Sequence, residues 1–175
     1  MSKFILSTHV LSDGPAQNIL KYFLKKNYEI LFIQHPLVLN QRYKSTNIKI
    51  YKNKKIKYEK NSKKIRFIFL SYFLSIFKNI FIVKKYFNDN NNYYIGFNCL
   101  NAFSGIILKK FLKIRIDKVI FFSVDYSPTR YKSSLLNYIY QFLDKFCIKN
   151  ADYCWCLSQN MIDAKNLKHN FKGNY

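Results

Sequence analysis

The chain predicts an α/β fold, a Rossmann-like doubly wound domain with a mostly parallel sheet and helices on both faces. Three observations carry that expectation. Residues 3–34 read as strand, turn, helix, strand within about 30 residues, the length of a unit whose two strands pair in parallel. Residues 118–124 (KVIFFSV) are apolar on both sides of the strand period, as in a strand covered on both faces. Residues 121–158 then read as strand, polar loop, amphipathic helix and strand.

Each element follows from local pattern. Residues 3–9 (KFILSTH) form a first strand and VLSDGP a turn. Pro15 suits the first helical position, with Asp13 or Gly14 as cap. Ile19, Leu20, Phe23 and Leu24 keep helical spacing, and Lys21, Lys25 and Lys26 fall outside it. Residues 28–34 form the next strand. Residues 36–64 are polar and irregular, with a short strand at 48–51. Residues 66–87 are the most hydrophobic stretch and read as a helix. Its polar members Ser71, Ser75, Lys78 and Asn79 form one narrow stripe. Lys78 and Asn79 interrupt it short of the ~20 apolar residues that a membrane span needs. It is either a core helix covering the sheet or a helix lying in a membrane interface.

Residues 88–92 turn, and 93–98 form a strand. Residues 102–113 form a helix packed through Phe103, Ile106, Ile107 and Phe111. Residues 133–149 form an amphipathic helix buried through Leu135, Leu136, Ile139, Phe142, Leu143, Phe146 and Cys147. Residues 153–157 (YCWCL) form a buried strand, with Trp155 on a central strand of the sheet. Ser158 caps a last helix at 159–167. The chain is thus a single domain over residues 1–175, with a basic loop at about 41–66.

Composition narrows the classes. Of 175 residues, 49% are hydrophobic and 19% aromatic, which excludes a disordered chain. Lys and Arg number 30 against 9 Asp and Glu, a net charge of +21 that suits an anionic partner, nucleic acid or a membrane surface. Part of this charge reflects a Lys-, Asn-, Ile-, Phe- and Tyr-rich composition of the kind that AT-rich coding produces. Residues 41–66 hold eleven basic residues and one acid, Glu59. The candidate membrane-surface residues there are Lys52, Lys54, Lys55, Lys57, Lys63, Lys64 and Arg66. A solvated loop is the alternative. Cys99, Cys147, Cys154 and Cys156 lack the paired spacing of a zinc site, so no metal is expected. A reducing cytoplasm fits them. Residues 1–9 lack the features of a signal peptide.

Candidate site residues follow from fold logic. In open α/β sheets, ligands bind beyond the carboxyl ends of the strands. The loop after 118–124 holds Asp125, Tyr126, Pro128 and Arg130. Asp125 can accept from an acceptor hydroxyl, or act as a base if its pKa is raised. Arg130 can hold a phosphate by its fork geometry. A structural ion pair between them is the alternative. The first turn, with His9, Ser12, Asp13 and Gly14, leaves the same edge if the strands run parallel. Its single glycine makes neither common phosphate loop, though free N–H groups at the helix start can hold an anion. His9, Ser12 and Asp13 do not make a triad. His35 and His169 are lone histidines.

The pattern D-Y-x-P-x-R, amphipathic helix, A-D-x-x-W-x-L-S covers residues 121–164. Its members are Asp125, Tyr126, Pro128, Arg130, Leu136, Asn137, Tyr140, Leu143, Asp144, Ala151, Asp152, Trp155, Leu157, Ser158 and Met161. It resembles the N-terminal domain of family 4-type glycosyltransferases with the GT-B fold. The first βα unit, residues 7–24, is more weakly similar to the same fold. The resemblance implies one half of a GT-B fold, with Asp125 catalytic and His9, Ser12, Asp13, Gly14, Tyr126 and Arg130 binding the acceptor.

It also implies that a nucleotide-sugar binds a separate C-terminal half. That half is expected to be absent here, so the chain reads as truncated or split, with no cofactor of its own and a second chain as donor-domain partner. The expected acceptor is a lipid-linked or cell-surface glycan precursor. The expected location is cytoplasmic, peripheral at the inner face of the cytoplasmic membrane. The rival readings are a basic nucleic-acid-binding module, for which no RNA-binding motif is present, and a non-catalytic α/β binding protein.

Overall fold

The computed structural model describes residues 3–9, 13–36, 45–62, 68–87, 92–170 and 173–175, with backbone alone for 68–72. Among these, seven strands form one sheet. They are β1 (Lys3–Thr8), β2 (Glu29–Gln34), β3 (Asn47–Lys52), β4 (Lys55–Asn61), β5 (Asn92–Phe97), β6 (Ile116–Ser123) and β7 (Tyr153–Cys156). Their spatial order is β4-β3-β2-β1-β5-β6-β7. β1 pairs in parallel with β2 and β5, β5 with β6, and β6 with β7. β3 and β4 join beyond β2 as an antiparallel hairpin. The helices are α1 (Pro15–Lys25), α2 (Ile68–Tyr86), α3 (Cys99–Ile106), α4 (Ser134–Asn150) and α5 (Gln159–His169). The expected mostly parallel, Rossmann-like α/β architecture is therefore the observed one.

The strand period divides the core in two. Leu6, Ile30, Phe32, Ile95, Phe97, Ile120 and Phe122 face one side, where Ala16 and Leu20 of α1 pack on them. Ile5, Leu31, Ile33, Tyr94, Val119 and Phe121 face the other, beneath Ile82 and Val83 of α2, Ile106 of α3 and Tyr140, Cys147 and Ile148 of α4. Helices cover both faces, but unevenly. Two glycines permit the close approach of α3. A Cβ on Gly96 would fall inside the contact distance of the Ala102 backbone, and one on Gly105 would collide with the Tyr94 ring.

Several expectations are corrected. The segment read as an irregular basic loop contains the β3–β4 hairpin. Asn53 and Lys54, both at positive φ (51° and 61°), make its two-residue turn, which matches the twist of a hairpin. Lysines obscured strand periodicity there because β4 is an edge strand with mostly solvent-facing side chains. The helix expected through residue 113 becomes π-helical over Ile107–Phe111. The extra residue per turn rotates the following side chains. Leu108 is buried in place of Ile107, and Phe111 is exposed.

α4 buries Tyr140, Asp144, Cys147 and Ile148, whereas Leu135 and Phe142 are exposed. Cys147 is buried and Leu143 and Phe146 pack on the core as expected, but apolar periodicity missed Asp144 because a carboxylate stands inside the face. Trp155 is not buried on a central strand. β7 is an edge strand, and Trp155 and Leu157 are 40% and 55% exposed. Only Cys154 of that strand turns fully into the core.

Candidate functional site

β1 and β5 are adjacent parallel strands, and β6 lies one strand further on. The loops after Thr8, Phe97 and Ser123 therefore leave the same edge. The chain builds from β1 to β2 on one side and later to β5 on the other. The gap between β1 and β5 is thus the topological switch point, where open α/β sheets hold ligands.

A buried polar network fills that point. His9, only 3% exposed, follows β1. Its Nδ1 accepts from Asn98 Nδ2 at 3.0 Å and from Asn101 Nδ2 at 2.9 Å, which assigns the ring proton to Nε2. Asn101 Oδ1 accepts from Asn79 Nδ2 at 3.1 Å. Asn79 Oδ1 lies 2.9 Å from His35 Nε2, the donor. Ser7 Oγ sits 2.8 Å from Asn79 Oδ1 and 2.9 Å from Asn101 Oδ1. On its far side His35 Nδ1 meets Thr46 Oγ1 at 3.1 Å, and Lys78 Nζ donates to the same Thr46 oxygen at 3.3 Å.

Electrostatics keep both rings neutral. Burial, then repulsion from the His35 ring 5.3 Å away, holds His9 well below the usual imidazole range. Burial lowers His35 to about 4, with Lys78 adding to the effect and the bond to Asn79 opposing it.

Asn98 joins this network to the surface. It caps α3, its side chain accepting from Asn101 N at 3.1 Å. Its backbone lies at φ 83°, ψ 166°, a region that only glycine visits freely and that costs about 1–3 kcal/mol. The residue is part-exposed at the carboxyl edge of the sheet.

Two further turns border the same edge. Gly14 precedes α1 without a side-chain cap, and no acid occupies the first helical turn. The positive end of the helix dipole lies there. Asp13 is exposed and lies 3.7 Å from Lys21. After β6, Arg130 Nη2 meets Asp125 Oδ2 at 2.8 Å. The guanidinium lies 5.5 Å from the Tyr140 ring centre. Burial opposes the charge of Arg130, but the hydrogen bond it donates to Asp125 and the attraction of that carboxylate outweigh burial and raise its pKa.

The loop carrying this pair is fastened to α4. Tyr126 OH donates to Gln141 Oε1 at 3.0 Å, and Gln141 Nε2 donates back to the Pro128 carbonyl at 3.0 Å. Asn137 exchanges hydrogen bonds with the Tyr131 backbone.

The structure thus brings His9, Asp13, Gly14, Asp125 and Arg130 to one edge, with the two groups separated by β5. Two strand spacings are roughly 10 Å. Tyr126 is turned inward and holds the loop. Ser12, Lys63, Lys64 and Arg66 lie outside the described residues. Lys52, Lys54, Lys55 and Lys57 are exposed on the β3–β4 hairpin, at the far side of the sheet from β7. Among the described residues no cluster of His, Cys, Asp or Glu could hold a metal.

Sequence reading missed Asn79, Asn98, Asn101 and the role of His35. The one available signal was Asn98, a capping residue between an apolar strand and a helix. Several residues of the resembling pattern have structural partners. Asp152 accepts from Lys109 Nζ and Val119 N, and Ser158 caps α5 through Met161 N. No family model, no curated protein and no solved structure matches the chain.

Proposed function

We propose that the chain is the acceptor-binding half of a glycosyltransferase, taking a phosphorylated or lipid-linked glycan precursor at the edge formed by the ends of β1, β5 and β6. The observation that carries this reading is the strained, part-exposed Asn98 at the switch point, held by buried neutral His9. Strain of that kind persists where a surrounding network over-determines it, and it clusters at ligand sites. The Arg130 fork would engage the acceptor phosphate, with Asp125 setting its orientation. The positive end of the α1 dipole adds a second anion-favouring element. Asn98 would hydrogen-bond a sugar hydroxyl. The nucleotide-sugar would be held by a second half outside these residues, on this or another chain.

The test is a calorimetric and NMR titration of the purified chain with a hexose 1-phosphate and, separately, with a uridine diphosphate hexose. The hexose phosphate is expected to bind and shift the Asn98 and Arg130 side-chain signals. Arg130→Ala should abolish that binding while leaving stability within about 1 kcal/mol, because the pair is part-exposed, at 36% for Arg130 and 60% for Asp125. Tight binding or turnover of the nucleotide-sugar, or hexose phosphate binding indifferent to Arg130, overturns the reading.

A further inference from the structure

α2 buries two polar residues and exposes a stripe of aromatic ones. Its polar members Ser75 and Asn79 are buried with Ile76, Ile82 and Val83 against the sheet. Its opposite side carries Phe73, Phe77 and Phe81, spaced at i, i+4 and i+8 and exposed by 47%, 66% and 67%. A helix lying on a sheet ordinarily places these classes the other way round. The inward polarity has a cause, since Asn79 completes the network between His35 and Asn101. The outward aromatic stripe has none within the described residues.

Cations surround the stripe. Lys84 and Lys85 are exposed on the last turn of α2. A groove of about 380 Å³ between α2 and the β3–β4 hairpin is lined by Ile48, Leu74, Phe77 and Phe81 together with Lys60, Lys78 and Lys85. Lys54, Lys55 and Lys57 extend the positive surface along the hairpin. Glu59 is the one acid of the hairpin, and α2 has none. No helix among the described residues is long and apolar enough to cross a membrane.

We propose that this face docks on the surface of an anionic lipid bilayer. Phe73, Phe77 and Phe81 enter the interface, an acyl chain occupies the apolar part of the groove, and the lysines hold headgroup phosphates. An exposed apolar stripe bordered by cations is the pattern of an interfacial helix. Lysine stems reach along apolar surface while their ammonium groups stay wet. A second copy of the same face is a poor occupant, because it would set these lysines against one another. The inference does not depend on the glycosyl-transfer reading.

The test uses the full chain with vesicles of phosphatidylcholine alone and of phosphatidylcholine mixed with phosphatidylglycerol. Co-flotation is expected with the anionic vesicles and should weaken as salt rises. Combining Phe73→Ser, Phe77→Ser and Phe81→Ser should weaken it roughly ten-fold or more, with circular dichroism unchanged. A second variant guards against misfolding: Phe77→Trp in a Trp155→Phe background leaves one indole. Its emission should shift to the blue on anionic vesicles and be quenched by brominated acyl chains.

Equal flotation with neutral vesicles, undiminished binding by the triple variant, or an indole indifferent to brominated lipid overturns the proposal. So does a dimer in solution that the triple variant abolishes, or tighter binding to RNA than to anionic vesicles at the same salt.

Discussion

Lys165 Nζ lies 2.6 Å and 2.7 Å from the two carboxylate oxygens of Asp144, and both side chains are buried. His169 Nε2 approaches the same carboxylate at 2.9 Å. The rings of Tyr126 and Phe121 lie 4.3 Å and 5.0 Å from the ammonium. A charge pair inside the apolar core thus pins α5 to α4, and α4 carries the loop with Asp125 and Arg130. Removing one partner of such a pair leaves an uncompensated buried charge and costs about 3–5 kcal/mol, whereas replacing both by apolar groups can be nearly neutral. Lys165→Met should therefore lose stability on that scale in urea unfolding. Lys165→Met with Asp144→Leu should recover most of it. A single variant within about 1 kcal/mol of wild type would show that the pair does not pin the helix.

The two buried imidazoles make stability depend on pH in a definite direction. Both are neutral in the folded chain, and in the unfolded chain both titrate near the ordinary 6.5. Below that value the unfolded state binds more protons, so acid favours unfolding. Stability from these groups is fully present above about pH 6.5 and falls as pH drops toward the folded value of about 4 for His35. Each histidine contributes up to about 1.4 kcal/mol per pH unit in that window. His35→Gln should flatten the slope by roughly half, as measured by urea unfolding across the window. An unchanged slope would mean that the rings are not both neutral.

Asn98 combines a costly backbone with two useful side-chain contacts, and substitutions separate the two. Asn98→Gly relieves a conformation that costs about 1–3 kcal/mol and loses the cap and the bond to His9. Asn98→Ala loses the same bonds and keeps the strain. The glycine variant should melt higher than the alanine variant, and both should bind hexose phosphate more weakly than wild type. Equal melting temperatures would remove the argument from strain.

Cysteine reactivity should be confined to β7. The Cys154 thiol donates to Cys156, which lowers the Cys156 pKa against the opposing effect of burial. Burial pushes Cys99 up to about 12 and Cys147 well above the usual range. Donation to Cys156, and then burial, raises Cys154. Thiolate is the nucleophile. Under native conditions iodoacetamide should label Cys156 first, as read by peptide mass mapping, and Cys156→Ser should remove the fast phase. Early labelling at Cys99 would contradict the core described above.

Legibility in the sequence followed burial. Strands covered on both faces, such as β2 and β6, announce themselves as unbroken apolar runs, and the loops at their carboxyl ends could be placed from them. Asp125 and Arg130 could be placed at the carboxyl edge because a short polar segment between a strand and a helix restricts where its charges can go. The misses share one cause. Asn79 and Asp144 are polar groups facing inward, and polarity alone reads as solvent. Their partners, His35 and Lys165, lie 44 and 21 residues away in the chain, beyond the reach of any local pattern. β3 was legible as a short strand at 48–51, but its partner β4 was lost for the converse reason, since an edge strand need bury almost nothing.

Because α2 is one rigid helix, its two sides are mechanically one part. The helix that carries Phe77 and Phe81 outward carries the Asn79 amide inward, between His35 and Asn101. Rolling α2 about its axis would drag that amide along an arc, lengthening one bond as it shortened another. The hydrogen bonds of Asn79 thus act as a detent that fixes the roll of the helix. A load on the outer phenylalanines would be resisted at the imidazole of His35 and, through Asn101, at His9.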